Sequence, residues 1–335
     1  MRIALDAMGG DRAPEPIVAG AIQAVQADPE VSILLVGDRD RLEPLLAGTP
    51  ETRIEIVHSA HVVGMDESPV DAMRKKPDNS IARCWQLMAE KKADAVVSAG
   101  NTGAVVAGGL KLRRFLKNVR RPGIATLMPT AKGTSLILDV GANVHPKPSH
   151  LFQYGVMGSI FAKHIMQREN PTIGLMNIGE EDGKGHDLAQ RTNELFANSP
   201  FRERFIGNIE GRDIHRGTCD VVVTDGFTGN VILKLCEGVF EFIMKMVANE
   251  IVGPLPNDRA IAGAAMKQLV ARYDYSAFGG APLLGIDGIC IICHGSSGDR
   301  AIRNAVGIAV QYARERLNEK IVAEFEGLPA VRDEE

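Results

Sequence analysis

The chain has 335 residues, 45% of them hydrophobic, which is ample for a large buried core. Its net charge of −4 excludes a general polyanion binder, so any basic site must be local. Five scattered cysteines fit a reducing compartment better than a disulfide framework, and no apolar run approaches the roughly 20 residues that span a bilayer.

The sequence opens on Met1-Arg-Ile-Ala-Leu-Asp6, already strand-like, with no signal peptide ahead of it, which points to a cytosolic protein. Short apolar or β-branched runs then recur: Ile3–Asp6, Ile33–Gly37, Ile54–His58, Ala95–Ser98, Leu136–Val140, Thr172–Asn177, Val221–Thr224 and Ile289–Cys293. Each is followed by a small-residue turn and a helical pattern. Several are apolar on both faces, as strands covered by helices on both sides must be. The alternation predicts an α/β fold with a mostly parallel, doubly wound sheet. Right-handed crossovers then set the turns after the strands along one edge. No repeat or linker divides the chain, so one domain is expected over 1–335, with a frayed acidic tail at about 329–335.

One region breaks the rhythm. About 237–280 reads as mostly helical, interrupted by Gly253-Pro-Leu-Pro256. Ile261, Met266, Leu269 and Val270 form an apolar stripe at helical spacing. It fits a core or dimer-contact helix. It also fits an exposed hairpin touching a membrane surface, with Arg259, Lys267 and Arg272 as its few charges.

The turns carry the chemistry. Asp6-Ala-Met-Gly9-Gly10-Asp11 closes the first run, and Ser98-Ala-Gly100-Asn101-Thr102-Gly103 follows another. Asp139-Val-Gly141-Ala-Asn143 and Asn177-Ile-Gly179-Glu-Glu-Asp-Gly-Lys184-Gly185 come next. Asp225-Gly226-Phe-Thr-Gly229-Asn230 and His294-Gly-Ser296-Ser297-Gly298 complete the set. Glycine lets backbone N–H groups approach an anion, and a helix N-terminus adds unpaired donors. A phosphate or oxyanion site is therefore expected. Neither the Walker loop nor the full dinucleotide fingerprint is present. Lys184, between glycines, suits phosphate or a developing oxyanion, although a solvated surface lysine has the same sequence. Asn230 suits hydrogen bonding to substrate, although a helix N-cap alone would explain it.

Lys111, Arg113, Arg114, Lys117, Arg120 and Arg121 crowd together with no acid among them. The spacings 113/117 and 111/114 place them on one helix face, opposite Val105, Val106, Leu112 and Leu116. This predicts either a solvated basic face or a docking face for an acidic partner. Nucleic acid is not expected, since no aromatic residues interleave the charges. Cys290-Ile-Ile-Cys293-His294 matches a haem-attachment string, but residues three apart in a strand face opposite sides. His58 and His61 lack a third metal ligand at supporting spacing, so no metal and no cofactor are expected.

Taken together, Ala-Met-Gly-Gly-Asp, Ser-Ala-Gly-Asn-Thr-Gly-Ala, Asp-Val-Gly-Ala-Asn, Asn-Ile-Gly-Glu-Glu…Lys-Gly and Thr-Asp-Gly-Phe-Thr-Gly-Asn-Val resemble the phosphate acyltransferase family of bacterial phospholipid synthesis. The blocks run in one order from residue 6 to about 232, and the His294 loop extends the match. The resemblance implies a Rossmann-like α/β/α fold related to isocitrate and isopropylmalate dehydrogenases, and a homodimer. It implies an acyltransferase that makes acyl phosphate from acyl carrier protein thioester and inorganic phosphate. It also implies catalytic roles for Lys184 and Asn230. The phosphate and substrate positions are then Asp6, Gly9, Gly10, Asp11, Ser98, Gly100, Asn101, Thr102, Gly103, Asn143, Asp225, Gly226, Gly229 and His294. The basic run becomes the carrier-protein docking face, and a downstream glycerol-phosphate acyltransferase becomes a further partner. The rival readings are a metal- and nicotinamide-dependent hydroxyacid dehydrogenase, a coenzyme A phosphotransacetylase, and a non-catalytic acyl-binding scaffold. The poor dinucleotide loop and the absence of an Asp-x-x-x-Asp helical pair weigh against the dehydrogenase. The basic run favours a protein carrier over coenzyme A.

Overall fold

The structure is a computed structural model and describes residues 1–49, 52–252, 259–273 and 279–329. Among them, eleven strands join into one sheet. They are β1 (Arg2–Asp6), β2 (Ser32–Gly37), β3 (Ile54–His58), β4 (Ala95–Ser98), β5 (Gly123–Thr130), β6 (Gly133–Leu138), β7 (Ile173–Met176), β8 (Phe205–Ile209), β9 (Val221–Val223), β10 (Ala281–Leu284) and β11 (Ile289–Ile292). Their order across the sheet is β3-β2-β1-β4-β11-β10-β5-β6-β9-β7-β8.

The helices before the middle of the chain are α1 (Glu15–Ala27), α2 (Arg39–Leu46), α3 (Pro69–Lys75), α4 (Ser80–Ala89), α5 (Thr102–Leu112) and α6 (Pro148–His164). Those after it are α7 (Asp187–Ala197), α8 (Gly211–Arg216), α9 (Gly226–Val247), α10 (Arg259–Tyr273), α11 (Asp299–Arg314) and α12 (Leu317–Glu326). Strand side chains alternate between two cores. Ile3 and Leu5 join the core under α1, α6, α7, α11 and α12, while Ala4 between them joins the core under α3, α4, α5, α8 and α9. In the second core Trp85 donates to the Val105 carbonyl (2.9 Å) and lies against Gly108 and Gly109, where side chains would collide with its ring.

The mostly parallel α/β sheet is as expected, but its turns do not share one edge. β10 is antiparallel to β11 and to β5, and β5 is antiparallel to β6. Three reversals in a row make β6, β9, β7 and β8 run opposite to β1, β2, β3, β4 and β11. The turns after β1, β4 and β11 therefore leave one edge, and those after β6, β9 and β7 leave the other. The single-edge expectation failed because β5 and β10 went unrecognised. β10 has four residues including Pro282, and β5 contains Pro129, and proline depresses a strand signal.

Three local expectations also change. α5 ends at Leu112, and Arg113 is left-handed with φ 48°, so the basic run beyond it cannot form a helix face. The late helical region begins at Gly226 rather than near 237, and α9 passes directly into a π-helical turn, Ala248–Val252. Asn230 thus lies inside α9 and is not its N-cap; Asp225 is, accepting from Thr228 N–H at 2.9 Å. In α10, Ile261 and Leu269 are exposed. Gly253–Pro256, the side chains of Arg259, Val270 and Arg272, and the tail from 330 lie outside the described residues.

Candidate active site

At the first edge three turns are fastened together. Asp6, fully buried at the end of β1, accepts from the Ser98 hydroxyl (2.7 Å) and from Met8 N–H (3.2 Å). Burial pushes its pKa up, against the pull of those donors. The Ser98 hydroxyl accepts from Gly100 N–H at 3.0 Å. A side chain at Gly9 would collide with the Asp6 carboxylate and the Gly100 backbone, so glycine is what lets the β1 and β4 turns touch. Asp11 N–H donates to the Gly295 carbonyl (2.8 Å), which ties in the turn after β11.

Asn101 caps α5, accepting from Ala104 N–H at 3.0 Å, while its amide nitrogen donates to the carbonyls of Gly64, Met65 and Glu67. Its polar atoms are thereby committed to structure. Thr102, exposed at the start of the helix, remains open to a ligand. His294 is exposed, and its Nδ1 accepts from Ser296 N–H (3.3 Å) and meets the Ser296 hydroxyl (2.7 Å). That pairing makes Nδ1 an acceptor and leaves the proton of the neutral ring on Nε2.

At the second edge Asp139 organises the turn after β6. It is fully buried and accepts from the N–H groups of Ile124 (3.0 Å), Gly141 (3.0 Å), Ala142 (2.9 Å) and Asn143 (2.7 Å). Burial raises its pKa, with these donors opposing the shift. The Asn143 amide donates to Pro122 O (2.6 Å), Asp139 Oδ2 (3.1 Å) and Tyr154 Oη (2.8 Å), so Asn143 too serves the turn. α9 docks closely on this turn. Gly226 N–H donates to the Asn143 carbonyl (2.8 Å), and side chains at Gly226 or Gly229 would collide with the backbone of Asn143 or Asp139. Asn230, exposed in the first turns of α9, faces the turn at Gly141.

Lys184 lies in the neighbouring turn, after β7, which pairs in parallel with β9. Its backbone is held by Glu181 O (3.0 Å) and by the Asn177 amide (3.0 Å). Its ammonium has no ion-pair partner among the described residues.

A cleft of about 840 Å³ is lined chiefly by α11, with Ala24 and Ala27 of α1, Phe161 and Ile165 at the end of α6, the first residue of α5 and the start of α9. Asp11, Thr102 and His294 line it from the first edge and Asn230 from the second. Lys184 does not line it, and the remaining glycines and carboxylates shape the turns behind it. Lys234, missed in the sequence, also lines it, four residues and so about one helical turn beyond Asn230. Lys234 pairs with Glu237 at 2.8 Å. The arrangement offers an anion an open helix N-terminus, a carboxamide, an imidazole N–H and a nearby cation.

The basic run is partly spent within the fold. Arg114 pairs with Asp287 (2.7 Å) and donates to Ala89 O (2.7 Å), Lys117 pairs with Glu326 (2.8 Å), and Arg120 donates to the Ser149 hydroxyl (3.2 Å). Lys111, Arg113 and Arg121 remain exposed. Cys290 and Cys293 belong to opposite cores, as the strand geometry requires. Among the described residues, one carboxylate group has metal-like spacing, Glu180, Glu210 and Asp213, and Arg212 pairs with Glu180 (3.7 Å) and Glu210 (2.7 Å).

The family model described as "Fatty acid synthesis protein" matches residues 1–320. A phosphate acyltransferase from Heliobacterium modesticaldum is 47% identical, over 93% of each chain. One from Geobacter sulfurreducens is 44% identical, over 97% of this chain and 94% of its own. Among solved structures, a phosphotransacetylase from Streptococcus pyogenes has the same fold, with TM-score 0.63, 15% identity and 94% of each chain covered. A 4-hydroxythreonine-4-phosphate dehydrogenase from Klebsiella pneumoniae matches at TM-score 0.50 and 12% identity, over 93% of this chain and 99% of that one. These two likenesses speak for the fold alone. Matched along nearly its whole length, the chain belongs to the phosphate acyltransferase family of fatty acid and phospholipid synthesis and is an acyltransferase.

Proposed function

We propose that this enzyme makes acyl phosphate from acyl carrier protein thioester and inorganic phosphate. A phosphate oxygen attacks the thioester carbonyl, the carbon–oxygen bond forms, the carbon–sulfur bond breaks, and the carrier leaves as thiolate. A thiolate, with a free pKa of roughly 8.5, needs no strong general acid. No oxidation state changes, so no redox cofactor is required. The protein's work is positioning and oxyanion stabilisation. The observation that carries this reading is the cleft in which Thr102, His294 and Asn230 line one space. Lys184 supplies positive charge from the adjacent turn. Radiolabelled phosphate incubated with palmitoyl-acyl carrier protein should enter a lipid-soluble product that hydroxylamine destroys. Label that stays in the aqueous phase, with the protein folded, contradicts the reading. The same assay with acetyl-coenzyme A separates it from the phosphotransacetylase alternative.

The carrier's acidic surface would meet Lys111, Arg113 and Arg121, the members of the run not tied into the fold. Reversing Lys111 and Arg113 to Glu should raise KM for the carrier about tenfold at low salt, and less at about 0.5 M salt. An equal KM at low salt contradicts this docking role. Arg114, tied to Asp287 and Ala89, is a poorer test, because its loss also disturbs the fold.

A homodimer is supported by α9. Phe227, Val231, Leu235, Val239, Phe242, Ile243 and Met246 are all exposed and share one side of the helix. Replacing both Leu235 and Phe242 by Glu should raise the dimer dissociation constant about a hundredfold or more, read by sedimentation. Unchanged sedimentation across dilution contradicts this interface. The enzyme is read as cytosolic, and no helix among the described residues is long and apolar enough to cross a membrane. Ile261 and Leu269 of α10 offer a small peripheral contact with the inner membrane face, where a glycerol-phosphate acyltransferase would take up the product.

A further inference from the structure

The side of α9 opposite its exposed stripe walls a second cavity. Leu233, Cys236, Glu237 and Phe240 recur at helical spacing and face Met128, Pro129, Thr130 and Ala131 at the end of β5, with His215 of α8 closing one side. The cavity holds about 250 Å³. Leu233 and Glu237 line both this cavity and the larger cleft, so the two spaces share a wall. The Lys234–Glu237 pair marks the border between them. From Asn230 the helix rises about 9 Å to Cys236 and about 15 Å to Phe240, at roughly 1.5 Å per residue.

The polar groups in this cavity are turned on one another. The Nδ1 of His215 meets the Pro129 carbonyl (3.2 Å), and its Nε2 meets Cys236 Sγ (3.3 Å). The ring nitrogens are thereby used up, Glu237 is paired with Lys234, the Thr130 hydroxyl accepts from Lys132 N–H, and the remaining walls are Met128, Pro129, Ala131, Leu233 and Phe240. A polar ligand would find few partners here, whereas a hydrocarbon chain would find apolar walls. Methionine among them adapts to a flexible chain.

We propose that this cavity receives the acyl chain and gauges its length, with the thioester carbonyl at Asn230 and the chain laid past Leu233 towards Cys236 and Phe240. This rests on the acyl phosphate reading above. Each methylene buried should raise kcat/KM about fourfold until the cavity is full. Cys236 also reports on the cavity. It is half-buried, whereas Cys84, Cys219, Cys290 and Cys293 are buried, so it is the thiol most open to an alkylating reagent.

The test compares palmitoyl- and butyryl-acyl carrier protein in phosphate-dependent thiol release. Cys236→Trp should lower the palmitoyl-to-butyryl ratio of kcat/KM at least tenfold relative to the parent. The second measurement needs no variant. Without phosphate, and so without turnover, palmitoyl-acyl carrier protein should slow N-ethylmaleimide modification of Cys236 at least threefold more than butyryl-acyl carrier protein does. An unchanged ratio in folded Cys236→Trp, or equal modification rates with the two thioesters, overturns the assignment. If Cys236→Trp does not fold, the modification rates decide alone. A parent enzyme that releases thiol from neither thioester defeats the acyl phosphate reading instead, which keeps the two failures apart.

Discussion

Lys184→Ala and Asn230→Ala are each expected to lower kcat for phosphate-dependent thiol release by about 10²–10³-fold, the loss typical of one oxyanion-stabilising donor. Neither side chain holds the fold together. Lys184 is exposed and its loop is secured through backbone groups, by Glu181 and Asn177. Asn230 is exposed in a helix whose cap is Asp225. Unfolding midpoints should therefore stay near the parent's while turnover collapses. Lys184→Arg keeps the charge but spreads it over a planar fork, so partial activity should survive. Near-full turnover in either alanine variant removes that residue from the mechanism.

Asp139→Ala should be the most destabilising single change at the site, costing about 3–5 kcal/mol. The carboxylate is buried and collects the N–H groups of Ile124, Gly141, Ala142 and Asn143, and alanine leaves those donors without it. The consequence extends to α9, because Gly226 and Gly229 dock on this same turn. In urea the midpoint should fall with little change in slope. Asp139→Asn, which retains one acceptor oxygen, should lose less. A cost below about 1 kcal/mol for the alanine variant would mean that water replaces the carboxylate and that the turn does not depend on it.

The glycine-rich turns were legible in the sequence because each follows a strand with a strong apolar signature. Asp6, Asp139 and Asn143 were flagged with them, yet their side chains prove to bind the protein's own backbone and side chains. Sequence motifs mark such residues without separating those that hold a turn from those that meet a ligand. The direction of the sheet was not legible. It depends on β5 and β10, two proline-containing strands that interrupt the βα rhythm and whose pairing partners lie far away along the chain. Lys234 and the His215–Cys236 contact escaped notice for a related reason. They gain their setting only when α9 packs over β5, a juxtaposition that local spacing does not encode. The basic run was visible as charge. That Arg114 and Lys117 are consumed by Asp287 and Glu326, both more than a hundred residues away, was not.

The most direct test of the central claim is release of free thiol from palmitoyl-acyl carrier protein, followed with and without inorganic phosphate, with hydroxylamine added to trap the product. The reaction proposed here predicts release that requires phosphate, rises to saturation with it, and yields one hydroxamate per thiol. Release that proceeds equally without phosphate would mark a hydrolase. No release from folded enzyme and folded carrier would contradict the proposed reaction outright.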